Sequence, residues 1–350
     1  MKILVTGNAG YVGPVLVRAL RRERPDATLV GFDTGYFAHC LTGASRLPES
    51  RLDAQLSGDL RDFPPEALDG VDTVIHLAAI SNDPMGKEYE GVTRDINALA
   101  SAALARAAKA RGVSRFVFAS SCSMYGFAEG GPRTETDALN PLTEYARSKV
   151  ATEEALAELA GPDFQVSCLR FATACGWSER LRLDLVLNDF VAGALASGRI
   201  DILSDGTPWR PLIAVGDMAR AMSWAAARES SAGGEFLAVN TGSDGWNHQV
   251  RDLADAVARI VPGTGITVNP DAPPDRRSYR VDFGLYRRLA PEAQPEVTLD
   301  GAIEGLRDGL VGAGFADARF RESRLIRLRT LAAHRAAGAL DAELRWAAGA

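Results

Sequence analysis

The N-terminal run KILVTGNAGYVG (residues 2–13) constrains the fold more than any other stretch of this 350-residue chain. An unbroken β-rich segment leads straight into Gly7, Gly10 and Gly13, and a helical pattern follows over about 11–22. A strand that is apolar on both faces belongs inside a parallel sheet. In that setting Gly7 takes the tight turn out of the strand and Gly10 lets backbone approach a pyrophosphate. The free N–H groups of the following helix then face that charge, and Gly13 lets the helix lie close on the sheet. The spacing is GxxGxxG, one residue longer than the common GxGxxG fingerprint. Pro14 falls in the first helical turn, where N–H groups lack intrahelical partners and proline costs little.

The pattern continues. TLVGFD (28–33), DTVIHLAA (72–79), RFVFASS (115–121) and QVSCLRF (165–171) read as buried strands, with helices expected between them at about 92–112 and 143–160. Alternation of strand and helix implies parallel strands joined by right-handed crossovers, hence an α/β fold with a doubly wound sheet. After residue 171 the loops lengthen, as in GWSERLRLD, SDGTPWRP and NPDAPPDRRS. This suggests a smaller, less regular lobe over the C-terminal strand ends, where open α/β sheets bind ligands. The expected division is 1–170, 171–314 and a basic helical extension over 315–350, with WRPLIAVGDMARAMSWAAAR and FLAVNTG returning to the main sheet.

Asp33 ends the second strand, 20 residues past Gly13. A carboxylate there accepts hydrogen bonds from an adenosine ribose and repels a 2′-phosphate. Thr34 and Gly35 beside it supply no arginine, so NAD(H) is expected over NADP(H). A second constellation lies in ASSCSMYG (119–126) and YARSK (145–149). Tyr145 and Lys149 are four apart in a helical segment and share a face. A cation beside a phenol favours the phenolate, and a serine at the neighbouring strand end can hydrogen-bond the same substrate hydroxyl.

Composition narrows the alternatives. A net charge of −6 argues against general nucleic-acid binding. Four cysteines without CxxC spacing and four scattered histidines form neither a disulfide framework nor a zinc site, so no metal is expected and a reduced, cytoplasmic setting is. No apolar run approaches the length of a membrane span.

In these motifs the chain resembles the extended short-chain dehydrogenase/reductase family, in its nucleotide-sugar epimerase branch. The carriers are TGNAGYVG, GDLRD (58–62), HLAA (76–79), SSCSMYG, YARSK, LRF (169–171), WRPLIAVGDMARA (209–221) and DRRSYRVD (275–282). The resemblance implies a Rossmann sheet and an NAD site. That site would include Gly7, Gly10, Tyr11, Val12 and Gly13 of the loop, together with Asp33, Asp59, Leu60, Leu77, Ala78, Ala79, Asn97, Tyr145 and Lys149. It also implies Ser121, Tyr145 and Lys149 as the catalytic set. Ser121, Asn188, Arg210 and Arg277 would be substrate contacts, the arginines on the diphosphate of a nucleotide sugar.

Departures from the family pattern bear on the reaction. Cys122 and Ser123 stand where the 4,6-dehydratases have an Asp-Glu pair, which disfavours loss of water. Thr173 and Cys175 replace an asparagine and a tyrosine of the usual LRxxNxYG, and Ala214 replaces a histidine. The resulting expectation is an NAD-dependent epimerase acting at C4 of the sugar. A one-way 4-ketoreductase or dehydrogenase using the same residues, and a non-catalytic dinucleotide sensor, remain as alternatives. Relatives also suggest a homodimer in which the helices at 92–112 and 143–160 form a four-helix bundle.

Overall fold

The computed structural model describes residues 1–127, 130–269 and 278–347. Six strands alternate with helices through the first half: β1 (Lys2–Thr6), β2 (Thr28–Asp33), β3 (Ala54–Ser57), β4 (Thr73–His76), β5 (Arg115–Ser121) and β6 (Gln165–Phe171). Short strands β7 (Thr173–Cys175), β8 (Arg199–Ile202) and β9 (Trp209–Ala214) follow. They precede β10 (Phe236–Thr241), β11 (Asn247–Gln249) and β12 (Gly265–Val268). The main sheet has seven strands in the order β10-β6-β5-β4-β1-β2-β3, and every pairing in it is parallel. The order reverses between β1 and β4, which opens a crevice at the C-terminal strand ends.

The strands read from unbroken apolar runs lie where expected, because β1, β4 and β6 are buried along nearly their whole length. β3 (AQLS) carries no such signal, since it is a partly exposed edge strand. One segment differs from expectation. FLAVNTG does return to the sheet as β10 beside β6, but WRPLIA forms β9 between β7 and β11 in a separate three-stranded sheet. β10 occupies the place next to β6.

Helix α1 (Gly13–Glu23) follows the glycine loop with Pro14 in its first turn. The expected helix at 92–112 is instead α3 (Glu90–Arg94) and α4 (Ser101–Ala110), preceded by α2 (Asp83–Glu88) and joined by a π-helical turn at Asp95–Ala100. α5 (Glu144–Leu159) lies against them, its N-terminus capped by the Thr143 hydroxyl, which accepts from Ala146 N. α6 (Val186–Ser197), α8 (Val250–Ile260) and α10 (Leu299–Gly312) pack on one another in the lobe, while α7 (Val215–Ala225) lies beside α1. The short α9 (Gly284–Leu289) adjoins β10.

The C-terminal extension is less helical than its composition suggests. Among its described residues, α11 (Arg327–Ala336) is the one α-helix, preceded by a 3-10 turn at Phe320–Glu322. Gly338 then takes φ +71, and Leu340 pairs back on Trp346. A left-handed glycine ends a helix at little cost.

Candidate active site

A cavity of about 1000 Å³ opens at the C-terminal ends of the strands. It runs from Gly7, Gly10, Tyr11 and Val12, past Asp33, Asp59 and Leu60, to Leu77, Ala78 and Ala79. It continues through Ser121, Tyr145 and Lys149 to Arg210 in the lobe.

The glycine loop is held by close backbone approach. Gly7 has φ +74, and a Cβ there would sit 2.5 Å from Ala78 N. A Cβ on Gly13 would lie 2.1 Å from the carbonyl oxygen of Asn8, so Gly13 lets the loop close on itself rather than lie against the sheet. Gly13 does not line the cavity. Asp33 braces the same loop: its carboxylate accepts from Ala9 N at 2.9 Å and from Gly35 N at 2.7 Å. Burial raises its pKa, against these two donors. Each carboxylate oxygen still has capacity to accept from a ribose hydroxyl.

The fold brings an arginine close enough to act on Asp33, which the local sequence did not suggest. It is Arg180, whose guanidinium forks onto Glu49 at 2.5 and 3.0 Å. Its charge is thereby answered by Glu49 rather than left to receive a 2′-phosphate. Farther along, Asp59 is pushed up by burial, but Arg61 bonds to both of its oxygens and holds it below the usual carboxylate range.

At the other end, Ser121 caps the turn after β5. Its Oγ donates to Ser123 Oγ at 2.9 Å and accepts from Ser123 N at 3.1 Å. Tyr145 is in the first turn of α5 and Lys149 one turn on. Burial pushes the Tyr145 phenol up to about 12, opposed by hydrogen bonding with Ser121 and by the charge of Arg182. Lys149 was expected to pull the phenol down, but its own burial dominates and lowers it to about 7. Its Nζ donates to the carbonyl of Ala119 at 2.7 Å and lies 4.5 Å from the centroid of Phe118.

Two expected contacts face elsewhere. Asn97 sits in the π turn with its amide closed on the backbone of Ile80, accepting at 2.8 Å and donating at 3.0 Å. It therefore fixes the loop after β4 and does not line the cavity. Asn188 accepts from Gly176 N and donates to Tyr11 Oη and to the carbonyl of Arg182. Its amide ties the lobe to the glycine loop and is likewise absent from the cavity wall. Arg277 lies outside the described residues. Cys122 is buried, with Sγ donating to the carbonyl of Arg170, in keeping with a structural role.

The cavity also contains residues that the sequence reading passed over. Arg182 forks onto Asp184 and donates to Ser81 Oγ at 2.9 Å. Asp83 accepts from Thr143 Oγ1 at 2.7 Å, and Tyr279 closes the lobe side. A signal existed in RLRLD (180–184), where charged residues alternate with leucines that are fully buried, and Arg182, Leu183 and Asp184 all line the cavity.

Residues 3–242 match the NAD dependent epimerase/dehydratase family. The chain belongs to that family. NAD is its cofactor, and the glycine cradle and the Asp33 carboxylate fit such a dinucleotide. Among relatives of this epimerase/dehydratase chain, an uncharacterised UDP-glucose epimerase of Bacillus subtilis is 30% identical over 237 residues. That match covers 64% of this chain and 72% of the relative. The UDP-glucose 4-epimerase of Mycolicibacterium smegmatis is 29% identical over 319 residues, 87% of this chain and 96% of that enzyme. Among solved structures, MoeE5 in complex with UDP-glucose and NAD is similar with a TM-score of 0.72 at 27% identity. It covers 89% of this chain and 99% of its own.

Proposed function

We propose that this enzyme interconverts a nucleotide-activated hexose and its C4 epimer, with Ser121, Tyr145 and Lys149 as the catalytic set. The observation that carries this reading is the continuity of the cavity from the glycine loop through those three residues to Arg210. A cofactor and a sugar nucleotide can therefore meet at Tyr145. The names of the relatives, UDP-glucose epimerases, support the same substrate class.

NAD, held by the glycine loop and Asp33, would supply the hydride acceptor for oxidation at C4 and, once reduced, the hydride donor for reduction of the keto sugar on its other face. As the phenolate, Tyr145 Oη takes the proton of the 4-hydroxyl, and the phenol so formed gives it back on re-reduction. Ser121 Oγ shares that hydrogen bond and orients the hydroxyl. Lys149, held by Ala119 O, places its cation beneath the reacting end and anchors the ribose next to it. Arg210 offers its guanidinium to the diphosphate at the lobe end. Cys122 and Ser123 provide no carboxylate pair for elimination of water, so the keto intermediate is reduced again.

The division into 1–170, 171–314 and 315–350 serves here as a working description of cofactor half, substrate lobe and extension. A homodimer is proposed through the faces of the helices over 90–110 and 144–159, where Leu99 is 59% exposed. No helix among the described residues is long and apolar enough to cross a membrane. All four cysteines are free and buried, in keeping with a reducing, cytoplasmic setting.

The test uses purified enzyme and UDP-glucose, followed by chromatography of the products. Interconversion with UDP-galactose without added NAD(H) is expected. A stoichiometric demand for reduced cofactor would identify a ketoreductase instead, and loss of water would identify a dehydratase.

A further inference from the structure

The family match ends at residue 242, so the C-terminal segment lies outside it. That segment nevertheless reaches the cofactor cavity. Ile326 and Arg327 line the cavity together with Tyr36 and Phe37, which follow Asp33. The segment also joins the two halves of the molecule. On the lobe side, Arg321 forks onto Asp189 at 2.8 and 2.7 Å, and Leu325 O accepts from Leu183 N at 2.9 Å. On the sheet side, Trp346 Nε1 donates to Thr34 O at 2.7 Å, Tyr36 Oη donates to Leu344 O, and Arg61 donates to Glu343 O at 2.8 Å. Arg61 is the residue that grips Asp59.

Arg327 is the unusual group in this segment. It is only 1% exposed, yet among the described residues its Nη1 has no hydrogen-bond partner. Its Nη2 donates to Arg180 O at 2.7 Å, and the guanidinium lies 4.8 Å from the centroid of Phe37. Burial lowers its pKa to about 10, which leaves it a cation at neutral pH. A buried cation with an unused donor is costly unless something supplies the acceptor. Its neighbours identify the place. Arg180 acts on Asp33 at the adenosine end, and the Arg182–Asp184 pair acts on both Arg327 and Tyr11 of the glycine loop. In a sheet of this kind a bound dinucleotide would set its pyrophosphate over the glycine loop and its adenosine ribose at the Asp33 carboxylate.

We propose that residues 320–347 form a strap that completes the dinucleotide site, with Arg327 giving Nη1 to a pyrophosphate oxygen opposite the glycine loop. The inference rests on the NAD site described above and assigns to it a wall that the family match does not include. An arginine–phosphate bond made away from water is strong and directional. A strap tied down on both sides must loosen before the cofactor leaves.

The test is calorimetric binding of NAD⁺, ADP, adenosine and UDP to cofactor-stripped wild-type protein and to Arg327→Met and Arg327→Lys. Arg327→Met is expected to weaken NAD⁺ and ADP by about tenfold or more, to leave adenosine and UDP unchanged, and to be partly rescued in Arg327→Lys. Wild-type protein that fails to bind NAD⁺ would remove the cofactor site itself. Wild type that binds it while Arg327→Met binds equally well overturns the strap alone. Loss of UDP binding instead of ADP binding overturns it too, by moving Arg327 to the substrate. Should Arg327→Met not fold, hydrogen exchange on the wild type decides. NAD⁺ is expected to slow exchange across 327–347, and unchanged exchange there overturns the proposal.

Discussion

Lys149 lies one helical turn beyond Tyr145, with its Nζ 5.7 Å from the centroid of the phenol ring and bonded to the carbonyl of Ala119. Both groups are held in their neutral forms more strongly than in water, the lysine lowered to about 7 and the tyrosine raised to about 12, burial being the largest cause for each. Near pH 7 the lysine is therefore only partly charged and the phenol keeps its proton, so the pair alone does not supply the phenolate. A positive charge arriving beside the phenol is what brings it into range.

That gives a first prediction. Adding NAD⁺, whose nicotinamide ring is cationic, is expected to move the tyrosinate step of Tyr145 to lower pH. The check is a near-ultraviolet titration of wild type against Tyr145→Phe, with and without NAD⁺. Tyr145→Phe is also expected to lose about 10²–10⁴-fold in turnover while keeping NAD affinity. An unshifted step on adding NAD⁺ counts against the charge argument.

Lys149 carries a stability signature with a definite sign. Between about 7 and its ordinary 10.5 the folded state binds fewer protons at this site than the unfolded state. Stability conferred through this group therefore rises with pH across that window and is lowest below it, where a buried cation must be kept. Cofactor-free Lys149→Met is expected to be more stable than wild type at pH 6, by about a few kcal/mol at most. The advantage should shrink as pH approaches 10. Thermal unfolding across that range checks it, and a gain independent of pH contradicts it.

Gly7→Ala combines positive φ with a Cβ 2.5 Å from Ala78 N. Strain of this kind costs about 1–3 kcal/mol, and the displaced loop no longer cradles the dinucleotide. We expect a lower melting temperature together with weaker NAD binding. Unchanged affinity would mean that the loop is not the pyrophosphate seat.

Beneath Lys149, Glu153 accepts from Arg170 at 2.7 Å and from Ser120 Oγ at 2.5 Å, with both charged side chains less than a tenth exposed. Glu153→Gln leaves a buried guanidinium unanswered and is expected to destabilise by about 3–5 kcal/mol. Adding Arg170→Met should recover much of that loss. A double variant no better than the single one would show that the pair is not a unit.

Cofactor choice is expected to rest on Glu49 as well as on Asp33. Asp33→Ser removes the carboxylate that repels a 2′-phosphate, and Glu49→Gln leaves Arg180 without its counter-ion. The double variant is expected to shift the ratio of NADP to NAD affinity by about tenfold or more, read by calorimetry. Asp33→Ser alone should weaken NAD without that gain.

The readable part of this site was local in the chain. β1, the glycine loop and the start of α1 follow one another directly, and Tyr145 and Lys149 are separated by a single helical turn. Residue type and spacing therefore specify their geometry. Core strands were legible because burial on both faces demands unbroken apolar runs, whereas β3, an exposed edge, left no such trace. The helix expected at 92–112 is interrupted by a π turn in which Asn97 engages Ile80, 17 residues away, a contact that periodicity does not encode.

By itself, then, the sequence determined the class of sheet, the glycine loop and the Tyr–Lys pair, because each depends on neighbours within a few residues. Only the tertiary structure decided that Asn97 and Asn188 brace loops instead of lining the cavity, and that Arg180 reaches Glu49 across 131 positions. It also decided that Arg327 enters a site begun at Gly7. The physical reason is that an amide or guanidinium takes whichever partner the folded chain brings within hydrogen-bond reach. Spacing along the sequence carries no record of that choice.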